Sequence, residues 1–287
     1  MGSLCALGAA TSFGANVVTQ RSLARAQLPV TTALGVRFGI ASVLLFAVLA
    51  LRREPLRPVA GERMRAALLG IVGYATEAGV FYLALGEGSA GAVALLFYAY
   101  PSLVVLIEVA LRDRGLTVRL AVSLGLASTG AVLVVVAGGE ISISATGVAL
   151  ALASACCFSV YLVASNRLIR RSPALPIGAW VAGGASVALL VVGAATAGIA
   201  VPRDTVGRLL LSGLTTAVAF ALLYAALPLL GAGPTAVVMT MEAFVAVTLG
   251  ALLLGEPIAA TQLIGGVGIV AGAALVATGT AKAPAAP

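Results

Sequence analysis

Histidine is absent from this sequence of 287 residues, and charged residues make up only 9% of it. Without imidazole, the chain has no Ser-His-Asp or Cys-His catalytic arrangement and no histidine proton relay. Polar surface is scarce as well, since 61% of the residues are hydrophobic and the mean hydropathy is +1.13. A soluble domain is about 45–50% apolar and about 25% charged. The composition therefore excludes a soluble globular domain, and it excludes a disordered chain.

Cysteine is rare too, and only Cys5, Cys156 and Cys157 are present. All three lie in apolar segments, their number is odd, and their spacing is not that of a metal site. We interpret them as small core residues. The sequence contains neither a phosphate-binding loop nor a dinucleotide fingerprint, so we expect no cofactor, no metal and no catalytic residues.

Long, continuous apolar segments fill most of the chain. A spanning helix needs about 20 residues, whereas a membrane β-barrel would show short segments of alternating polarity. We therefore predict an all-α integral membrane protein with ten transmembrane helices and a disordered tail over residues 281–287. The predicted helices are Ser3–Thr19, Pro29–Leu51, Ala66–Leu85, Ser89–Leu111, Thr117–Ala137, Ala145–Leu168, Pro176–Ala200, Thr205–Leu227, Ala232–Leu254 and Thr261–Gly279.

Basic residues predict the orientation of these helices. The chain has sixteen arginines and one lysine, and its net charge is +7. With a cytoplasmic N-terminus, twelve of these seventeen residues fall on the cytoplasmic side and four on the outer side. The positive-inside rule then predicts that both termini are cytoplasmic. The positive charge is thus a topology signal, and we expect a lipid bilayer rather than a nucleic acid as the partner.

The sequence repeats itself after 142 residues, without a gap from the third predicted helix to the end of the fifth. Near the N-terminus a shift of 145 residues fits better. Because each repeat has an odd number of helices, the second copy runs inverted, an arrangement typical of secondary transporters with a substrate site between the repeats. We predict two inverted five-helix repeats, residues 1–140 and 141–280, around a central cavity. Matched positions include Tyr82 with Tyr224, Ala90-Gly91 with Ala232-Gly233, Gly130 with Gly272, and Phe13 with Phe158.

The end of the chain resembles the closing motif of the EamA-type branch of the drug/metabolite transporter superfamily. The resemblance rests on the segment MEAFVAVTLGALLLGEPIAATQLIGGVGIVAGAALVATG, with Gly255-Glu256 at a helix end, Gln262, Gly265-Gly266 and Gly272. The first half echoes this motif around Pro101, Gly125 and Gly130. Many relatives carry a proline where this chain has Ala243, a departure that predicts less bending of the ninth helix.

Within that branch the chain is most similar to YddG-type amino-acid exporters. The resemblance implies ten helices in two inverted bundles, and a secondary transporter in the bacterial inner membrane, present as a monomer or homodimer. It also implies export of small metabolites, most commonly neutral or aromatic amino acids, by alternating access. A passive channel and a membrane-embedded enzyme are the alternatives, the enzyme disfavoured because almost no mass lies outside the membrane.

Four charged residues fall inside the apolar segments, where each costs a few kcal/mol unless it is paired or faces water. Arg37 and Glu77 lie at equal depth, about 12 Å from the outer ends of their helices at 1.5 Å per residue. We predict that they pair, either as a structural pair or facing a zwitterionic substrate. Glu108 precedes Arg112 by four residues, a spacing that predicts an interfacial pair. Glu242 is a protonated carboxyl, a substrate contact or a proton-coupling group.

Aromatic and polar side chains complete the predicted site. Phe97 and Tyr100 align with Met239 and Glu242, so two equivalent helix faces present an apolar group beside a polar tip. Pro101 predicts a loosened backbone just past these tyrosines. The candidate substrate-binding residues are Asn16, Arg37, Tyr74, Glu77, Tyr82, Tyr98, Tyr100, Trp180, Met239 and Glu242.

Overall fold

The computed structural model describes residues 1–137, 142–196, 198–254 and 258–280. These ranges are all-helical, as predicted, with a π-helical turn at Leu69–Tyr74 and a 3-10 turn at Arg203–Thr205. The Gly255-Glu256 helix end and the tail 281–287 lie outside the described residues. The helices are α1 Gly2–Arg25, α2 Val30–Leu51, α3 Glu62–Leu68, α4 Ala75–Leu85, α5 Ala90–Phe97, α6 Tyr100–Ala110, α7 Val118–Val136, α8 Ala145–Ile169, α9 Ala174–Thr196, α10 Val206–Leu230, α11 Ala232–Met239, α12 Met241–Leu254 and α13 Ala260–Thr280.

Nine helical segments of the described chain are long and apolar enough to cross a membrane. Some are built from two helices, such as α5 with α6 and α11 with α12. Helix α1 has 24 residues but is not among the nine. Its polar residues, among them Asn16 and Gln20, lower its hydropathy. A multi-pass membrane protein is therefore confirmed, while a tenth spanning helix stays a prediction.

Helices from the two halves of the chain pack against each other. Helix α1 packs on α10 and α12, α2 on α9 and α10, and α7 on α13. Helices α4 and α6 pack on α8, and α6 also packs on α11. The main hydrophobic core accordingly contains residues from both halves, such as Phe38, Tyr74, Tyr161 and Phe220. A site in this core is therefore shared between the halves.

Small residues bring the backbones of α7 and α13 into contact. A Cβ atom on Gly265 would lie 2.5 Å from the carbonyl oxygen of Gly130, and one on Gly130 would in turn overlap the carbonyl oxygen of Gly265. Gly272 faces α7 as well, since its Cβ atom would lie 2.7 Å from the carbonyl oxygen of Ser123. These glycines thus form a close helix contact within the chain, of the kind that small residues support in membranes.

We expect Gly130→Ala to destabilise the protein, because the added methyl group meets backbone atoms of α13 that have no rotamer to change. Overpacking of this kind costs about 1–3 kcal/mol. Gly125→Ala is the matched control on the same helix, since its Cβ atom would meet nothing within 4 Å. Thermal denaturation of the purified protein in detergent should show a lower melting temperature for Gly130→Ala alone. Equal melting temperatures would contradict the α7–α13 contact.

The fourth and ninth predicted helices are interrupted at equivalent positions. Helix α5 ends at Phe97 and α6 begins at Tyr100, while α11 ends at Met239 and α12 begins at Met241. Residues 98 and 240 are 142 positions apart, the same distance that relates the repeats. The loosening predicted from Pro101, the second residue of α6, is confirmed.

The break between α11 and α12 forms without a proline. The Thr240 hydroxyl donates a hydrogen bond to the carbonyl oxygen of Val237 at 2.7 Å. The Ala243 N–H then donates to the carbonyl oxygen of Thr240 at 3.1 Å, one residue closer than in an α-helix. A threonine hydroxyl that competes for a backbone acceptor is a known cause of helix distortion. Alanine at position 243 therefore does not keep this helix continuous.

A π-helical turn, Leu69–Tyr74, joins α3 to α4. Its Gly70 packs so closely on α9 that a Cβ atom would overlap the carbonyl oxygen of Val181. Turns of this type are rare and occur frequently at functional sites. This one ends at Tyr74, whose ring lies in the main core 4.9 Å from the Phe38 ring centroid.

Candidate functional site

Aromatic rings from both halves meet in the main core. Eleven of the fifteen aromatic side chains form one continuous set of ring contacts, with centroid separations from 4.9 to 6.4 Å. Most pairs are edge-to-face or tilted, the geometries that the ring quadrupole favours. We call these residues the aromatic cluster: Phe13, Phe38, Tyr74, Phe81, Phe97, Tyr98, Tyr100, Phe158, Tyr161, Phe220 and Tyr224.

Arg37 lies beside this cluster without an ionic partner. Its side chain is 9% exposed, and its Cζ atom is 4.5 Å from the centroid of the Phe38 ring. Within the described chain no carboxylate lies within 4.0 Å of it, and its buried Nε–H has no hydrogen-bond acceptor. A buried charge without a partner is costly. Arg37 is therefore the residue best placed to bind an anionic group.

Two carboxylates lie near Arg37 without touching it. Glu77, 7% exposed, accepts a hydrogen bond from the Ser154 hydroxyl of α8 at 3.3 Å. Glu242, in the first turn of α12, is half-buried and has no hydrogen bond to the described residues. Arg37, Tyr74, Glu77 and Glu242 interact electrostatically. The centre thus holds one guanidinium and two separate carboxylates.

The predicted direct pairing of Arg37 with Glu77 is wrong. Their equal depth brings them close enough to interact electrostatically. However, depth does not determine the direction in which each side chain leaves its helix. Glu77 is directed towards Ser154 on α8, so the guanidinium is left without a neutralising contact.

Two predicted tyrosines and Met239 border the same charges. Tyr98 and Tyr100 both interact electrostatically with Glu242. The Tyr100 hydroxyl donates to the carbonyl oxygen of Ala236 at 3.4 Å, which connects α6 to α11. Tyr98 makes no such bond within the described chain, and its hydroxyl is available to a ligand. Met239 is 2% exposed and packs in the same core.

Asn16, another candidate, is engaged by α10. Its amide nitrogen donates to the Thr216 hydroxyl at 3.1 Å, and its amide oxygen accepts from the Ser212 hydroxyl at 2.7 Å. Gln20 also donates to Ser212, at 2.9 Å. These bonds hold α1 against α10, so Asn16 contributes to helix packing, and its substrate-binding role stays a prediction. Sequence alone does not distinguish this role from substrate binding, because both require a buried amide.

Trp180 and Tyr82 lie outside the aromatic cluster. The Trp180 indole N–H donates to the carbonyl oxygen of Leu56 at 3.1 Å, and its ring contacts Phe46. Tyr82 is 45% exposed at the end of α4. It lines an open surface cavity with Leu83, and a second such cavity lies along α12 and α13. Neither of these two cavities is lined by Arg37.

Several cluster members were not predicted as site residues. Phe158 contacts Tyr74 and Tyr100, and Phe220 contacts Phe13 and Tyr74. The alignment of Phe13 with Phe158 in the repeat was the available signal. A phenylalanine in an apolar helix is otherwise indistinguishable from ordinary core.

Two further tyrosines add a buried hydroxyl network. The hydroxyls of Tyr161 and Tyr224 are 3.1 Å apart, and the Ser165 hydroxyl is 3.2 Å from that of Tyr224. All three residues are fully buried, on α8 and α10. Their hydroxyls are satisfied by one another, so this network joins the two helices beside the site.

Glu108 seals the contact between α6 and α11 at one end of the molecule. It is 2% exposed, and its two carboxylate oxygens accept hydrogen bonds from the N–H groups of Ala232 at 3.1 Å and Gly233 at 2.9 Å. A Cβ atom on Gly233 would lie 2.6 Å from Oε2 of Glu108, so a larger residue there would displace the carboxylate from its hydrogen bonds. We call Glu108 and these two N–H groups the polar seal.

Arg114 also belongs to the polar seal, because it contacts Glu108. The predicted pairing of Glu108 with Arg112 is wrong. Arg114 donates to the carbonyl oxygen of Leu230 at 2.6 Å, and its Nε lies 3.7 Å from Oε2 of Glu108. Helix α6 ends at Ala110, and Arg112 has a left-handed φ of 57°, so the helical i, i+4 spacing does not extend to it.

A second ion pair braces the same loop. Arg167 of α8 donates to the Asp113 carboxylate at 2.7 Å. This hydrogen bond lowers the pKa of the Asp113 carboxyl. The loop after α6 is therefore held to α8 as well as to the α10–α11 turn.

The cysteines are free, and they are less buried than predicted. Cys5 and Cys157 are half-buried and Cys156 is exposed, so the interpretation of all three as core residues is wrong for Cys156. An apolar residue in a membrane helix faces lipid as readily as protein, because both are apolar solvents. The described residues contain no cluster of three or more metal ligands.

Comparisons with known proteins agree with this architecture. The model of the EamA-like transporter family matches the chain twice, over residues 1–136 and 145–278. One solved structure, titled only "Crystal structure of protein", superposes with a TM-score of 0.84 at 18% identity, covering 98% of this chain and 99% of that one. At that identity the likeness shows a shared fold alone. No curated protein matches the chain significantly.

Proposed function

Because the chain belongs to the EamA-like transporter family, a family of membrane transporters of small solutes, we propose that it exports neutral or aromatic amino acids and related metabolites. The proposed location is the bacterial inner membrane, with both termini cytoplasmic. The proposed layout has ten spanning helices in two inverted repeats, residues 1–140 and 141–280, that move by alternating access.

The observation that carries this proposal is the unpaired guanidinium of Arg37 beside the aromatic cluster. An amino acid supplies a carboxylate that forms charge-assisted hydrogen bonds with a guanidinium. Its ammonium group requires an acceptor, and Glu242 is the nearby carboxylate that has no hydrogen bond to the described residues. An apolar or aromatic side chain then contacts rings such as Tyr98, which supply apolar area and a hydroxyl.

The two interrupted helices support alternating access. Broken helices at the centre of transporters expose backbone groups to the substrate and allow half-helices to tilt separately. Here α5–α6 and α11–α12 break beside the site, next to Tyr98 and Glu242. Because both breaks lie next to ring contacts of the aromatic cluster, a tilt of these half-helices would change the space beside it.

Transport into proteoliposomes tests the proposal. We expect saturable uptake and counterflow of labelled phenylalanine and leucine, and little uptake of glutamate. Tyr98→Ala should reduce phenylalanine transport about tenfold, since a ring contact contributes about 0.5–1.5 kcal/mol and 1.4 kcal/mol is a factor of ten. Its melting temperature should stay near that of the wild type.

Tyr82→Ala is the matched control, because Tyr82 is exposed and outside the aromatic cluster. It should transport as the wild type does. Unsaturable flux without counterflow would instead indicate a channel. Wild-type transport by Tyr98→Ala would place the substrate elsewhere.

A further inference from the structure

Within the part of the chain that the structure describes, the carboxylate of the polar seal has no counterpart in the other repeat. Under the shift of 142 residues, Ala232-Gly233 align with Ala90-Gly91, so the same two residues begin α11 and α5. Glu108, however, aligns with Gly250. The two half-helices present similar N-termini, but only one of them has a carboxylate facing it.

At α5 the cap is of a weaker kind. The Ser89 hydroxyl accepts a hydrogen bond from the Ala92 N–H at 3.3 Å, within its own helix. Two N–H groups of α11, by contrast, bond to a carboxylate from α6, a different helix. Hydrogen bonds to an ionised group are about twice as strong as neutral ones. The two bonds to Glu108 join α11 to α6, the half-helices that are proposed to move apart.

We infer that Glu108 and Arg114 form a one-sided gate lock, which holds the α6–α11 end closed in the resting transporter and has no equivalent among the described residues at the opposite end. This inference rests on the proposed alternating access. In an inverted repeat, opening of the contact between α6 and α11 accompanies closing of the equivalent contact between α5 and α12. The first contact contains the carboxylate and the second contains Gly250.

Arg114 makes the lock dependent on both halves of the chain. It lies in the loop after α6 but donates to Leu230, the last residue of α10. Asp113 in the same loop bonds to Arg167 of α8. Separating α6 from α11 must therefore break charge-assisted bonds to α10 and α11, whereas no ion pair of the described residues joins α5 to α12.

With both termini cytoplasmic, the locked end faces the cytoplasm. The resting protein is then open or ready to open towards the outside. Solute from the cytoplasm enters only after the lock has broken, so breaking the lock is the step that the inward-facing state requires.

Cysteine accessibility tests the lock without any substrate. Val105 is 3% exposed, and its Cγ2 lies 3.2 Å from a Cβ atom built on Gly233, so it sits between α6 and α11 behind the lock. Val105→Cys is made in a background in which the three native cysteines are alanine. The readout is the rate of labelling by a membrane-impermeant maleimide added to inside-out vesicles.

Glu108→Gln is expected to raise this labelling rate about tenfold or more. The side chain loses the negative charge that strengthens both hydrogen bonds, and only one of its two acceptor oxygens remains. Arg114→Gln should raise it less. Glu87→Gln is the matched control, because Glu87 bonds to Ser144 at the opposite end, and it should leave the rate unchanged.

Gly130→Ala separates gating from general loosening, since it weakens the α7–α13 contact and leaves the lock intact. Unchanged labelling in folded Glu108→Gln and Arg114→Gln would overturn the inference. An equal rise in Gly130→Ala would overturn it as well, because exposure would then report stability alone. Transport assays that fail for every amino acid, with labelling as expected, would refute the proposed substrates and leave the lock in place.

Discussion

Arg37→Met is expected to reduce transport of phenylalanine 10- to 100-fold without lowering the melting temperature of the protein. Hydrogen bonds to a charged group contribute about 1.5–3 kcal/mol, and a substrate carboxylate that loses them loses most of its affinity. The protein itself loses little, because among the described residues the guanidinium has no ionic partner and its Nε–H has no acceptor. Removal of a costly buried charge offsets the loss of its contact with Phe38.

This combination of outcomes distinguishes a binding residue from a structural one. The measurements are initial uptake rates at low phenylalanine concentration in proteoliposomes and thermal denaturation in detergent. Arg37→Lys keeps the charge but not the planar fork, so it should retain an intermediate rate. Arg52→Met, at an exposed loop position, is the control and should change neither quantity. A lower melting temperature in Arg37→Met with wild-type transport would show that Arg37 acts in folding.

Glu108→Ala is expected to lower the free energy of unfolding by about 2–5 kcal/mol, because each buried polar group that loses its partner costs about 1–3 kcal/mol. The substitution leaves the N–H groups of Ala232 and Gly233 buried without an acceptor. It also leaves Arg114 without its carboxylate. We expect a much lower melting temperature and a reduced yield of folded protein.

Glu87→Ala is the control for this second experiment. Glu87 is exposed and bonds to the Ser144 hydroxyl, also exposed, so its removal should cost less than about 1 kcal/mol. Size-exclusion profiles after heating in detergent would compare the two variants. A melting temperature for Glu108→Ala equal to that of Glu87→Ala would contradict the polar seal.

Much of the candidate site could be predicted from depth along the helices. Arg37, Glu77 and Glu242 were chosen because each charge lies deep in an apolar segment, and the structure brings all three together. The reason is general, since a charge in a membrane helix has to face the interior of the bundle. Depth, however, gives the height of a residue and not the direction of its side chain.

The errors all concern direction or choice of partner. Arg37 and Glu77 lie at one depth yet make no ion pair, because Ser154 of a helix in the other half takes the carboxylate. Glu108 was predicted to pair with Arg112, yet its carboxylate accepts hydrogen bonds from the N–H groups of Ala232 and Gly233. In each case the deciding partner is more than 75 residues away along the chain, so no local pattern contains it.

By itself, the sequence determined that this protein is a bundle of membrane helices with an internal repeat and a few charges inside. Hydropathy and the Pro101 break depend on residues that are close together in the chain. The length of an apolar segment is enough to predict that it inserts into the membrane. Only the tertiary structure decided that Arg37 is left unpaired, that eleven rings form one cluster, and that Glu108 faces Ala232 and Gly233. Those outcomes depend on the rotation of each helix about its axis, which packing between the two halves determines and composition does not.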